Sequence, residues 1–221
     1  MITLDDERRW YRYHHLFADL LKSILRQHRS GEQIRELHRR ASQWYQNQGA
    51  LSGAMIHTMA AQDFKRAAAI IDENIDSMFT HGNPPLLLSW IKDLPKEIVR
   101  DRLWMDVYYA TTLAFLGQLD EVEPLLEAVE QRIQPGDPRQ SEVLGHIAAV
   151  RAYAANLRGN GSDAIQMAAF SKRYLPQGHL AVREMVGYTL ADTYYAIDDM
   201  QNAAQELYDL LRIGEKTSTV E

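Results

Sequence analysis

Three stretches, Phe115-Leu-Gly-Gln-Leu-Asp-Glu-Val-Glu-Pro-Leu-Leu126, Leu157-Arg-Gly-Asn-Gly-Ser-Asp-Ala-Ile-Gln-Met-Ala168 and Ala196-Ile-Asp-Asp-Met-Gln-Asn-Ala-Ala-Gln-Glu-Leu207, lie over one another without gaps. Gly117, Gly159 and Asp198 superpose, and five positions later so do the small residues Val122, Ala164 and Ala203. Seven positions upstream of each turn stands another small residue: Ala110, Ala152 and Ala191. Small residues at such points let two antiparallel helices approach closely, and intervals of 42 and then 39 residues suit one helical hairpin plus its connection. Gly49 with Ala54 repeats the offset near the front.

Outward from these turns the apolar spacing is helical. Pairs are expected at 101–116 with 119–133, 141–158 with 161–173, and 180–197 with 199–213, separated by Gly117, Pro135-Gly136-Asp137-Pro138, Gly159-Asn160-Gly161, Pro176-Gln177-Gly178 and Asp198-Asp199. In the first half Ile34, Leu37, Ala41, Trp44 and Tyr45 predict a buried helix stripe ending at Gly49, and Leu51, Ala54, Met55 and Thr58 a second helix packed back on it. Asp63 caps a third, with Phe64, Ala67, Ala68, Ile71 and Ile75 on one face and its end near Gly82. Pro84-Pro85 opens a fourth through Leu87, Trp90 and Ile91, closed by Pro95. Strand signals are confined to Arg8–Tyr13, which alternates basic and aromatic residues.

The repeats resemble tetratricopeptide repeats in a degenerate form, with proline at the repeat end only loosely present (Pro135, Pro176) and a wider period. The fold expected is all-α: a TPR-like right-handed superhelix of antiparallel helix pairs, behind a short winged-helix remnant.

Composition sets outer bounds. The 221 residues are 46% hydrophobic and 24% charged, with no apolar run of membrane-spanning length and no signal-peptide pattern, so the chain reads as cytoplasmic. Absence of cysteine removes disulfides, thiolate zinc sites and a cysteine nucleophile. Residues 1–50 hold nine Lys/Arg against six Asp/Glu and the remainder fifteen against twenty-four, which argues against the body gripping nucleic acid.

Read together, "YRYHHLFADLL" (11–21), "RELHRRASQWYQNQGALSGAMIHTMAAQDFKRAAAII" (35–71), "LLSWIKDLP" (87–95) and "FLGQLDEVEPLL" (115–126) resemble the middle of MalT-type LuxR-family regulators, which are signal-transduction ATPases of the STAND class. The resemblance runs from about residue 8 to 213. It implies an order of ATPase, winged helix, helical sensor and C-terminal DNA-binding helix-turn-helix. The chain has no Gly-x-x-x-x-Gly-Lys-Ser/Thr loop and no candidate recognition helix before Glu221, so it is expected to hold the end of the winged helix (1–30) and the N-terminal part of the sensor (31–221). ATP or ADP, and DNA, are then partners of a parent's other domains, with no cofactor in this segment. A small-molecule inducer, a regulatory protein and the parent's own ATPase domain are its expected partners, and no membrane is.

The chemistry-bearing residues are few. His14 and His15 are adjacent, a poor geometry for one metal ion, and His28, His38, His57, His81, His146 and His179 form no His-x-x-x-His or His-Glu-x-x-His group, so no metal is expected. The resemblance implies instead that His14 approaches the ADP phosphate in the parent; the alternative is that it satisfies a hydrogen bond at a strand-to-helix junction. The repeat register puts first-helix residues on a concave wall: Trp104, Val107, Thr111 and Phe115, then His146, Tyr153 and Asn156, then Met185, Tyr188, Asp192 and Tyr195. Aromatic faces with Asn, Asp and hydroxyl groups suit a sugar, another small polar-apolar ligand or a peptide. The competing reading makes these aromatics core. The register buries Tyr109 and Tyr194 and exposes Tyr108 and Tyr195. Asp5-Asp6 and Asp198-Asp199 belong to a flexible end and a turn, no nucleophile turn occurs, and the chain is not expected to be an enzyme. Two functions are expected: an effector-binding sensor controlling nucleotide-dependent activation and oligomerisation of the parent, or a TPR-like scaffold binding a peptide or partner protein.

Overall fold

The computed structural model describes residues 2–3, 11–80, 83–100, 102–134, 136, 139–176 and 178–218. The strand residues expected at 8–10, the carboxylates Asp5-Asp6, and the turn residues Gly82, Pro135, Asp137, Pro138 and Gln177 lie outside them. The protein is all-α apart from two-residue strands β1 (Ile2–Thr3) and β2 (Tyr11–Arg12), which pair antiparallel with Ile2 opposite Arg12. Two compact units are present, Met1–Ile70 and Ile71–Glu221, with the division falling inside one helix.

In the first unit β2 leads through His14 into α1 (His15–His28), followed by α2 (Gly31–Asn47) and α3 (Leu51–Ala60). Helix α2 starts where it does because Ser30 forms a capping box: its hydroxyl accepts from the Gln33 amide, and the Gln33 side chain accepts from the Ser30 amide. The stripe expected on α2 is corrected here. Leu37 and Trp44 are 44% and 48% exposed, and Ser42 is the buried residue of the helix. The seam with α3 is polar: Thr58 donates to the Ala54 carbonyl at 2.8 Å, so Ser42 Oγ donates to Thr58 Oγ1 at 2.5 Å. Gly53 lies so close to the Tyr45 ring that a Cβ there would stand 2.5 Å from it. Apolar periodicity picks a face by hydrophobicity, whereas this interface is selected by close approach and hydroxyl pairing.

Helix α4 (Phe64–Thr80) crosses the division. The second unit continues with α5 (Pro84–Asp93), capped by Asn83 accepting from the Leu86 amide, and the short α6 (Lys96–Val99). Three hairpins come next: α7 (Leu103–Phe115) with α8 (Val122–Glu130), α9 (Gln140–Leu157) with α10 (Gly161–Tyr174), and α11 (Leu180–Ala196) with α12 (Met200–Ser218). Each first helix packs on its own partner and on the first helix of a neighbouring hairpin, so the repeat predicted from the turns is the repeat observed. At the turns Gly117, Gly159 and Asp198 all take positive φ, of 73°, 75° and 64°. The superposed small residues sit where helices meet: Ala110, Ala152, Val122 and Ala164 are at most 1% exposed.

First and second helices differ for a physical reason. Helix α9 lies between neighbours and buries residues on most sides, Val143, His146, Ile147, Ala149, Val150 and Ala152 among them, so its sequence has no narrow apolar stripe. Helix α8 covers one side only and buries Val122, Leu126 and Val129, at the 4- and 3-residue steps of one helix face. Each such side chain contributes about 1.5–3 kcal/mol. Across this pair the Arg151 guanidinium binds Glu123 and Glu130 at 2.6–2.9 Å.

Candidate functional site

The C-terminal ends of α7 and α9 and one face of α11, joined by Phe79 of α4, line a groove of about 480 Å³. Of the residues expected on the concave wall, Tyr153, Asn156, Tyr188 and Asp192 come together here, with Phe115 and Met185. The C-terminal ends of α7 and α9 meet one face of α11 here, from Ala181 near its start to Asp192. Phe115 and Tyr153 pack with centroids 4.8 Å apart, and Phe79 reaches Phe115 at 5.6 Å. Burial raises the pKa of the Tyr153 phenol, so it stays neutral.

Asn156 organises the polar part. Its amide nitrogen donates to Asp192 Oδ2 at 2.7 Å and its carbonyl oxygen accepts from Thr193 Oγ1 at 2.8 Å. Thr189 Oγ1 donates to the Met185 carbonyl at 2.7 Å.

The other expected residues lie elsewhere. Thr111 and His146 are fully buried and line neither cavity, because α7 and α9 meet face to face at that level. Thr111 donates to the Val107 carbonyl at 2.7 Å and stands 3.4 Å from His146 Nε2, while His146 Nδ1 has no hydrogen-bond partner among the described residues. Burial, reinforced by His179, drives the His146 pKa down to about 3. Trp104 lines a second cavity of about 490 Å³ with Tyr108, Arg102, Arg139, Glu142 and His179. Its indole stacks on His179 at 6.2 Å and 22°, Glu142 pairs with His179 at 2.5 Å, and Arg102 pairs with Asp72. Tyr195 is 66% exposed and lines neither cavity.

The tyrosine register is half right. Tyr194 is more buried than Tyr195, as expected, but Tyr108 is the buried member of the first pair and Tyr109 the partly covered one, under Lys92. The reason is a set of rings around Tyr108, with His146 edge-on at 4.9 Å, Phe79 edge-on at 5.3 Å and Trp104 at 6.2 Å. Glu184 and Phe79 were missed. Glu184 was within reach of the sequence, since Glu184, Tyr188 and Asp192 are spaced four apart along α11; Phe79 comes from outside the repeats and carries no such signal.

His14 stands at the junction of β2 and α1 as the N-cap residue, exposed, with no side-chain capping bond and its ring 4.2 Å from that of His15. Among the described residues no three His, Asp or Glu side chains converge as a metal site would require.

Known proteins share parts of this chain. Residues 1–33 match the family model of the MalT winged helix domain. Over 111 residues, 49% of the chain, it is 33% identical to the serine/threonine-protein kinase PknK of Mycobacterium tuberculosis, in two strains, and to that of Mycobacterium bovis. The chain spans about 10% of the length of these relatives. No solved structure gives a significant match. The opening of the chain is thus MalT-like, and a helical repeat succeeds it.

Proposed function

We propose that the helical repeat is the effector-binding sensor of a MalT-like, signal-responsive transcriptional regulator of the LuxR family and STAND class. The observation that carries this reading is the groove lined by three successive first helices, α7, α9 and α11, in a chain whose residues 1–33 match the MalT winged helix domain. A ligand seated there touches several hairpins at once, so it binds best at one spacing of them and draws the protein toward that state. In the parent this shift would govern nucleotide-dependent activation and oligomerisation. ATP or ADP and DNA would be handled by other domains, and this segment would bind rather than catalyse. The regulator would work in the cytoplasm. Among the described residues no helix is long and apolar enough to cross a membrane. His14, exposed at the strand-to-helix junction, is the residue assigned to sensing the nucleotide phosphate in the parent.

The test is a thermal-shift screen of sugars, amines, carboxylates and nucleosides against the chain and its Asn156→Ala variant. A compound that stabilises the first and not the second supports the sensor. If no compound shifts the melting temperature, the sensor reading fails. For His14, unchanged ADP affinity and basal activity of His14→Ala in the parent would sink the assignment.

A scaffold that binds a peptide or partner protein is the second reading, favoured by the exposed tyrosines Tyr188, Tyr195 and Tyr208, each at least 62% accessible. Co-purification of a partner lost on Tyr195→Ala, with no small-molecule hit, would decide for it.

A further inference from the structure

Among the described residues the groove's charges all have one sign: its lining includes the carboxylates of Glu184 and Asp192 and no Lys, Arg or His. Asp192 gives one oxygen to Asn156, and the half-buried Glu184 carboxylate has no hydrogen-bond or ion-pair partner among the described residues. Glu184, Tyr188 and Asp192 stand at four-residue steps, so a carboxylate lies about one helical turn, roughly 6 Å of axial rise, to either side of the Tyr188 ring. Apart from the Tyr153 and Tyr188 hydroxyls, the neutral polar groups are already engaged. Asn156 is committed at both ends and the Thr189 hydroxyl is spent on the Met185 carbonyl. A sugar would therefore find acceptors but few free donors, and an anion would be repelled by both carboxylates. A cationic nitrogen has a place: over an aromatic face, between two carboxylates, with its alkyl groups against Phe79, Phe115 and Met185.

We propose that the groove binds an organic cation, a quaternary or protonated amine of small size. This rests on the reading of the groove as an effector site and names the class of effector. Half-burying an unpaired carboxylate costs free energy that a ligand cation recovers, so the site discriminates by charge as well as by shape.

The experiment is a calorimetric or NMR titration of the whole chain with choline and with 3,3-dimethylbutan-1-ol, which has the same shape without the charge. Choline is expected to bind at least about tenfold more tightly than the alcohol. Glu184→Gln should bring the two within about threefold by weakening choline alone, and Tyr188→Leu should weaken choline by about tenfold. An Nα-acetyl-lysine methylamide arm separates two sources of the same charge: tighter binding than choline assigns the cation to a peptide side chain, weaker binding to a free amine, and both support the proposal. Equal affinity for choline and the alcohol overturns the proposal while leaving a sensor of another ligand class intact. Absence of saturable binding by choline, tetramethylammonium and 1,5-diaminopentane alike also overturns it, and the thermal-shift screen then decides separately whether any ligand binds.

Discussion

Asn156 at the end of α9 donates to the Asp192 carboxylate of α11 at 2.7 Å, and the next residue of α11, Thr193, donates back to the Asn156 carbonyl at 2.8 Å. One amide thus pins two successive hairpins together at the mouth of the groove. Thr193 is buried and donates as well to the Thr189 carbonyl at 2.6 Å, so its single proton is shared between two acceptors and loss of one is tolerated. Asp192 is exposed, and water can replace what it loses. Asn156→Ala is therefore expected to cost about 1 kcal/mol, below the figure for a fully buried charged pair. For a chain of this size that lowers the melting temperature by about 2–4 °C. A urea midpoint equal to that of the wild type would show that the clamp contributes nothing to stability.

At their positive-φ position two of the three superposed turns carry glycine and the third aspartate, and stability should register it. Gly117 and Gly159 adopt positive φ at little cost, while Asp198 holds φ 64° with a side chain attached. Asp198→Gly is expected to stabilise the chain by about 0.5–1 kcal/mol, the relief of local strain outweighing the added freedom of the unfolded chain. Gly159→Ala should destabilise by about 1 kcal/mol. Nothing lies within 4 Å of a Cβ built at Gly159, so the penalty there is conformational and not steric. Denaturant titrations of both variants check this, and a destabilised Asp198→Gly would mean that Asp198 itself holds the turn.

The same turns explain why so much of this fold could be read from the sequence. A residue forced to positive φ and a small residue five places on are local demands, visible without knowing what packs where. Faces are a different matter. On α2 the apolar residues Leu37 and Trp44 point outward and the seam runs through Ser42, because two hydroxyls and Gly53 allow a closer approach than large side chains would. Tyr108 and Tyr109 are adjacent and chemically identical, and which is buried is decided by rings from elsewhere in the chain, His146 at 4.9 Å and Phe79 at 5.3 Å from Tyr108. The groove was legible where it follows the repeat, at Tyr153, Asn156, Tyr188 and Asp192. It was not legible at Phe79, which a preceding helix supplies. His146 shows the limit of residue type as a guide: an imidazole on the expected wall proves to be fully buried core.

Arg151 joins α9 to α8 through Glu130 and Glu123, and its hydrogen bonds to Glu130 first and Glu123 next hold it charged beyond its ordinary range against the cost of burial. Arg151→Met leaves those two carboxylates, seven residues apart on one face of α8, without their shared cation. A loss of about 2 kcal/mol is expected, scaled down from a fully buried pair because the side chains are 23–42% exposed. Lysine, which has one ammonium in place of a planar fork, should recover less than half of it. The deficit should shrink as salt is raised, because the partly exposed ion pairs are screened in the wild type. A deficit independent of salt would assign the effect to lost packing.

His146 makes the chain acid-sensitive in a defined window. Its imidazole is fully buried between Trp104 at 5.7 Å and Tyr108 at 4.9 Å, with His179 nearby paired to Glu142, and burial pushes its pKa from the ordinary 6.5 down to about 3. Below pH 6.5 the unfolded chain binds a proton at this position that the folded chain refuses, so stability falls as pH falls from 6.5 toward about 3. At pH 5.5 the loss from this group is about 1.4 kcal/mol, and at pH 7.5 it is close to zero. His146→Leu removes the proton site together with the unpartnered Nδ1, at the expense of the 3.4 Å contact with Thr111. Its stability at pH 7.5 should lie within about 1 kcal/mol of the wild type. Between pH 7.5 and 5.5 it should lose about 1.4 kcal/mol less. Comparing the two proteins cancels other titrating groups, His57 included, whose pKa burial also lowers. Urea titrations at the two pH values provide the measurement, and parallel losses in both proteins would place the acid sensitivity elsewhere.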